Sequence, residues 1–255
     1  MSAPALPTFQ VEDRTFTRLI LGHNPFLGYS YLSGARSQEY QARFSGPEPI
    51  RDVILAAIAA GVRSMMISYN EAIGDAIEQA QEQSGVALSN FVIVSPGVRE
   101  RADWLRRVGC QVCLVHGQNT DSFFCRAERT FAPEFTAMLA EIRDLGFVPG
   151  MSSHNGGETL PVAEGFDVAV VNTPINKIAW RMCPCVEQVL GAVRASSKQI
   201  VAMKPLAMGR IAPAEGMEYI ASVPGVNGVV VGIGTAAEAE ETFALGAAAL
   251  ARLAS

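Results

Sequence analysis

The sequence predicts a single closed (β/α)8 barrel preceded by a short β-hairpin, and three observations predict it. The chain has 255 residues, the usual size of one eight-fold α/β barrel. Short apolar, often β-branched runs alternate with helical patterns along its whole length, which is the pattern of parallel βαβ units. Several of those runs, among them Val168-Ala169-Val170-Val171 and Val229-Val230-Val231, are apolar on both faces. A strand covered by helices outside and barrel core inside requires that composition.

Taken in order, residues 9–17 read as a hairpin with Glu12-Asp13 at its turn, placed to plug the N-terminal end of the barrel. Strands follow at residues 18–21, 64–68, 91–95, 111–116, 148–152, 168–172, 199–203 and 228–231. Helical spacing of apolar residues marks 50–60, 72–83, 134–145, 186–195 and 236–251. Residues 39–44 and 118–131 read as loops long enough to close over a cleft, and Phe123, Phe124 and Phe131 as either an apolar wall or core. Trp180 and Met182 carry the same two readings after the sixth strand. No linker rich in Pro, Gly or Ser divides the chain, so residues 1–255 are expected to form one domain; a doubly wound open sheet is the rival architecture.

Composition narrows the function classes. Hydrophobic residues make up 49% and charged residues 18%, as a large buried core demands. A net charge of -5 without a Lys/Arg cluster argues against nucleic acid and anionic membrane as partners. No apolar run is long enough to span a bilayer, and Met1–Pro7 lacks the pattern of a secretory leader, so a cytoplasmic protein is expected. Five cysteines form no disulfide framework. Cys110 and Cys113 lie three apart on a predicted strand, where they should face opposite ways and serve as buried thiols rather than as a ligand pair. Monomer and homodimer both fit.

Barrel chemistry sits at the C-terminal ends of the strands. The three histidines, His23, His116 and His154, fall at the ends of the first, fourth and fifth predicted strands. Imidazole changes charge most easily near neutral pH, so proton transfer is its natural task there. Asn24, Tyr69, Asn70, Gln118, Ser152, Asn155 and Asn172 join the same rim, and Lys204 ends the seventh strand. Such a ring suits a small, polar, hydroxyl- or carbonyl-bearing ligand with or without negative charge. Lys204 is a candidate to bind an anion, polarise a carbonyl or form a Schiff base; the plainer reading pairs it with a carboxylate. Gly232, Gly234 and Thr235 lead into the last helix, where Thr235 and Glu238 fit a capping box and the amides suit a phosphate. A divalent metal is less well supported: carboxylates are scarce at the strand ends, and Glu71 is the nearest.

At these residues the chain resembles the aldo-keto reductases, and the likeness runs over most of its length. The segments that carry it are Leu21-Gly22-His23-Asn24-Pro25-Phe26-Leu27-Gly28, residues 61–68, Cys113-Leu114-Val115-His116, Gly150-Met151-Ser152-Ser153-His154-Asn155, Val171-Asn172-Thr173-Pro174-Ile175-Asn176, residues 202–209 and Val231-Gly232-Ile233-Gly234. The resemblance implies a catalytic histidine at His116, a nicotinamide-holding pair at the fifth strand, and NADP as the cofactor it admits. The departures bear on function. The family's Asp falls on Met66, its Lys on Pro96 and its nicotinamide-stacking Tyr on Met203, while Tyr69 replaces its catalytic Tyr only if the loop is shortened. No basic cluster follows Gly234 to meet a 2′-phosphate.

Three functions follow as expectations. The first is acid–base chemistry (isomerisation, epimerisation or elimination) on a sugar-like or hydroxy-carbonyl substrate, shared among His23, His116, His154, Lys204 and Tyr69. The second is NAD(P)-dependent oxidoreduction through a rearranged proton relay. The third is a non-catalytic ligand-binding barrel.

Overall fold

The structure, a computed structural model, describes residues 6–252. The chain opens with an antiparallel hairpin, β1 (Thr8–Val11) and β2 (Arg14–Thr17), and enters the barrel at β3 (Leu19–Gly22). The order continues α1 (Gly34–Arg43), α2 (Pro47–Ala59), β4 (Met65–Ser68), α3 (Glu71–Ser84), β5 (Asn90–Val94), α4 (Ala102–Arg107) and β6 (Cys110–Val115). A short excursion follows: α5 (Gly117–Phe123) and the small hairpin β7 (Phe124–Cys125) and β8 (Thr130–Phe131). The second half runs α6 (Pro133–Asp144), β9 (Val148–Ser152), α7 (Gly156–Ala163), β10 (Val170–Pro174) and α8 (Val186–Ala195), then β11 (Gln199–Met203), α9 (Pro213–Ser222), β12 (Val226–Gly232) and α10 (Ala236–Ala251). Eight parallel strands close on themselves in the order β3-β4-β5-β6-β9-β10-β11-β12, the last pairing with the first through Val229–Val231 and Leu19–Leu21.

Local chemistry places the helices. Pro47 and Pro133 begin α2 and α6 at positions where the missing amide hydrogen costs nothing. Asn70 caps α3 by accepting the Ile73 amide, and Gly85, left-handed at φ 68°, ends it. In α2, Ile50, Val53, Ile54, Ala57 and Ile58 form the apolar stripe that covers the strands.

Strand parity divides the core. In β10, Val170 and Asn172 face the barrel interior while Val171 joins the layer under the helices. The hairpin closes the bottom of the barrel: Phe9 and Phe16 pack on Phe91, with the Phe16 and Phe91 ring centroids 4.3 Å apart. Gly228 leaves the space Phe9 needs, since a Cβ there would come within 3.0 Å of its ring.

Two sequence expectations change, and of the two readings of the phenylalanines the core one holds. Residues 39–44 are not a loop but the end of α1, started by Ser33 accepting the Arg36 amide. Phe123, Phe124 and Phe131 line no cleft and pack with Phe135 and Phe166 on the outer core. Cys110 and Cys113 share a face, their sulfurs 3.6 Å apart, because the β5–β6 register shifts between Asn90 and Phe91 and Gln111 becomes an extra residue. That bulge reverses the alternation assumed for a regular strand. Both thiols are buried, and burial pushes that of Cys110 up. Among the described residues no helix is long and apolar enough to cross a membrane.

Candidate active site

A cleft of about 980 Å³ opens at the C-terminal ends of the strands. Its floor is the uppermost inward layer of the barrel, with Met66, Ile93, Met203 and Val230, and its walls are polar. His23, His116 and His154 all line it, as do Asn24, Gln118, Ser152, Asn172, Lys204 and Gly232.

The neutral tautomers of two histidines are fixed by what they touch. His23 Nδ1 lies 2.8 Å from the Met66 carbonyl oxygen, which can only accept, so Nδ1 carries the hydrogen. Its Nε2 is left to accept the Ser68 hydroxyl at 3.0 Å. Burial lowers the His23 pKa to about 4, so the ring is neutral at physiological pH. His116 caps α5: its Nδ1 accepts the Gln118 amide at 3.1 Å. The hydrogen of neutral His116 therefore sits on Nε2. Burial, and then the charges of His154 and Lys204, hold its pKa below the ordinary value. His154 rests against Gly117, where a Cβ would come within 3.0 Å of its ring, and its Nδ1 faces Asp121 at 3.4 Å.

Asp121 is a member of this cluster that sequence reasoning missed. It accepts the Ser153 hydroxyl at 2.6 Å and the His154 amide at 3.2 Å. Burial works to raise its pKa, but the donors from His154 and Ser153 outweigh it and keep the carboxyl below its usual range. Only α5, read as loop from the sequence, brings it one turn past His116 and up to the end of β9.

Lys204 has no carboxylate partner among the described residues. Its Nζ donates to the Tyr31 hydroxyl at 3.1 Å. Burial, and then the Arg181 charge, lower its pKa to about 8. Its backbone is left-handed at φ 59°, a strained state for a residue with a Cβ of the kind that clusters at functional sites. Tyr31 meets Trp180 edge-on with ring centroids 5.4 Å apart, and together they wall one side of the cleft. Trp180 is held from behind: buried Asn176 accepts its amide and donates to its carbonyl, both at 2.8 Å. Met182 does not line the cleft and lies buried behind this loop. Tyr31 was not a sequence candidate because it belongs to no strand end; it arrives from the loop after β3.

Several predicted residues lie elsewhere. Tyr69 turns outward, donating to Glu71 at 2.6 Å and stacking under Arg101, so it cannot supply the family's tyrosine. Asn70 is spent on capping α3 and Asn155 on Glu158. Glu71 is tied to Tyr69 and Arg107 outside the cleft. At the glycine turn, Thr235 accepts the Glu238 amide as the capping box requires. The Gly234 amide donates to Glu238 Oε2 at 2.8 Å, so a carboxylate of the chain itself sits where a phosphate was expected. Gly234 is needed for packing, since a Cβ would meet Tyr40 at 2.6 Å. Among the described residues no group of three or more His, Cys, Asp and Glu side chains is arranged to hold a metal.

No family model matches the chain, and no curated protein matches it in sequence. Solved structures do. A protein of Pseudomonas aeruginosa described as an aldo-keto reductase superposes with a TM-score of 0.69 at 16% identity over 95% of each chain. An aldo-keto reductase from Bacillus halodurans, in its holo form, gives 0.65 at 11% identity over 97% of this chain and 96% of that one. One from Brucella melitensis gives 0.62 at 13% identity over 98% and 100%. The chain therefore has the barrel fold of the aldo-keto reductases.

The NADP that the sequence resemblance admits fits the residues poorly. Ser152 donates to Asn172 Oδ1 at 3.3 Å and Asn155 Nδ2 donates to Glu158, so the serine and the asparagine expected to hold the amide are both engaged within the chain. Met203 offers no ring for stacking, and the last helix's anion position is filled by Glu238.

Proposed function

We propose that this protein is an enzyme of acid–base chemistry acting on a small hydroxy-carbonyl substrate, with Tyr31 and Lys204 as the proton-transferring pair and His116 as the group that polarises the carbonyl. One observation carries the reading: Lys204 Nζ lies 3.1 Å from the Tyr31 hydroxyl in the cleft that also holds His116. Because Lys204 donates to the phenol oxygen, the phenol's own hydrogen is free to be given to a substrate oxygen. The lysine, at a pKa of about 8, exchanges protons near neutrality and replenishes it. His116 presents Nε2–H to the oxygen on which enolate charge builds up, over a floor of Met66, Ile93, Met203 and Val230 that excludes water. The neutral fraction of Lys204 takes the proton from the carbon beside the carbonyl as Tyr31 gives its own to the carbonyl oxygen. The lysine then returns that proton to the tyrosine, an enolisation that serves isomerisation, epimerisation and elimination alike.

A second reading is carbonyl reduction by an NAD(P)-dependent enzyme with a rearranged proton relay. The fold favours it, and so does the convergence of His116, at its expected strand end, with a tyrosine and a lysine from places other than those the family uses. One experiment separates the two. The protein is incubated in D2O with a panel of small aldoses, ketoses and hydroxy-ketones, with and without NADH and NADPH, and followed by proton NMR. Deuterium entering beside the carbonyl without cofactor, and slowed about 100-fold or more in Tyr31→Phe, supports acid–base chemistry. Reduction that requires a nicotinamide supports the second reading. Neither exchange nor reduction across the panel would discard both.

A further inference from the structure

Ser68 and His23 stand in the cleft without a part in the chemistry proposed above. Met66 and Ser68 are two apart on β4 and share its inward face, and His23 leaves β3 beside them. The contacts run in one direction. Ser68 Oγ donates to His23 Nε2 at 3.0 Å, and His23 Nδ1–H donates to the Met66 carbonyl at 2.8 Å. A hydroxyl, an imidazole and a fixed acceptor behind the imidazole make up a nucleophile, its base and the group that orients the base. The orienting group here is a main-chain carbonyl of the strand that carries the serine, so base and nucleophile are set by the same element.

We propose that Ser68 is a nucleophile that takes the acyl group of a small carboxylic ester, with His23 as its base, giving the cleft an ester-hydrolysing activity. Ser68 Oγ attacks the acyl carbon as its proton passes to His23 Nε2. The ester C–O bond breaks, and the alcohol leaves with that proton. Water then attacks the acyl-serine, gives a proton to His23, and the carboxylic acid departs as Ser68 recovers its hydrogen. No oxidant or reductant is involved, and one water is consumed for each ester cleaved. The donor assigned to the oxyanion is His116 Nε2–H, which lines the same cleft as Ser68. Burial keeps the His23 lone pair free of protons throughout the neutral range, and the Met66 oxygen remains to stabilise the imidazolium while it lasts.

A serine that only satisfies a buried histidine is inert to electrophiles, which makes the idea testable without knowing the natural ester. The purified protein is treated with a fluorophosphonate probe, and the adduct is located by peptide mass spectrometry. The expected result is one adduct per chain on Ser68, absent from Ser68→Ala and formed about 100-fold or more slowly in His23→Gln. p-Nitrophenyl acetate should show a burst of about one equivalent in the wild type and none in Ser68→Ala. An unlabelled wild-type protein with intact circular dichroism, or an adduct on another residue, would overturn the proposal, as would labelling of His23→Gln at the wild-type rate. The wild-type result decides even if a variant fails to fold. The probe requires no hydroxy-carbonyl substrate, so its failure leaves the proton-transfer reading standing, and the reverse holds.

Discussion

Lys204 and Tyr31 meet across the cleft from the end of β11 and the loop after β3, with 3.1 Å between ammonium nitrogen and phenol oxygen. A buried lysine against the Tyr31 ring and beside Arg181 is held in its charged state at a cost. Its pKa of about 8 expresses that cost.

The first prediction is spectroscopic. The chain has three lysines, Lys177, Lys198 and Lys204, so reductive 13C-methylation gives a spectrum simple enough to assign. The Lys204 signal should titrate near pH 8. That of Lys177, paired with Glu215 at 2.6 Å, should titrate above the ordinary lysine value. Arg181→Gln should move Lys204 upward, because one of the two causes of its depression is then gone. A Lys204 signal titrating with an ordinary lysine would remove the relay.

Stability should follow with a definite sign. Below pH 8 both folded and unfolded Lys204 are protonated, and the folded state bears the full penalty. Between about 8 and 10.5 only the folded state releases its proton, so stability rises with pH. Lys204→Met should therefore stabilise the protein at pH 7 by at most about 3 kcal/mol, reduced by residual solvent screening. The gain should fade toward pH 10.5. Urea denaturation at pH 7 and pH 10 checks both the size and the trend.

His23 gives the opposite window. The folded pKa is about 4 against an ordinary 6.5, so the unfolded chain takes up a proton that the folded chain refuses. Stability is full above pH 6.5 and is lost as the pH falls toward 4, by about 3 kcal/mol from this group. The acid limb of the stability curve should flatten in His23→Gln. An unchanged limb would mean that the imidazole is solvated and not tied to Met66 and Ser68.

The hairpin below the barrel is a separate matter of packing. Phe16 is about 1% exposed and its ring lies 4.3 Å from that of Phe91, so Phe16→Ala opens a cavity that the closed barrel cannot collapse. A loss of about 3–5 kcal/mol is expected in chemical denaturation. A loss under about 1 kcal/mol would mean that the hairpin docks loosely.

How far the sequence carries can be traced along particular residues. Strand positions were legible because a barrel strand must be apolar on both faces, and residues 148–152 and 199–203 coincide with β9 and β11. The plug was legible from where the hairpin falls, just before the first barrel strand. His23, His116, Ser152, Asn172 and Lys204 reach the cleft because strand ends are fixed by the barrel itself. Tyr69 misleads because its contact with Glu71 and Arg101 turns it outward one residue past the end of β4. Tyr31, Asp121 and Arg181 carry no periodic signal. Asp121 is carried by the short helix α5, and the places of Tyr31 and Arg181 are set by loop conformations, among them left-handed backbones at Ala179 and Arg181, that only tertiary contacts such as Asn176 to Trp180 determine. Cys113 shows the same limit within a strand, where one bulge overturns the alternation.

The last prediction concerns the glycine turn before α10, where sequence and structure disagree on what the amides hold. Glu238 Oε2 accepts the Gly234 amide at 2.8 Å while Oε1 faces Arg36 at 3.2 Å, so one carboxylate completes the helix cap and neutralises a cation. Glu238→Ala should lose the cap, at a cost of about 1 kcal/mol, and should uncover the amide and release one side of Arg36, whose other nitrogen stays paired with Glu39 at 2.8 Å. Phosphate should then raise the melting temperature of the variant relative to chloride at equal ionic strength, and leave the wild type unmoved. If phosphate stabilises both equally, the anion binds elsewhere. If it stabilises neither, the turn lacks the donors of an anion site even when opened, and Gly234 is glycine only to admit the Tyr40 ring.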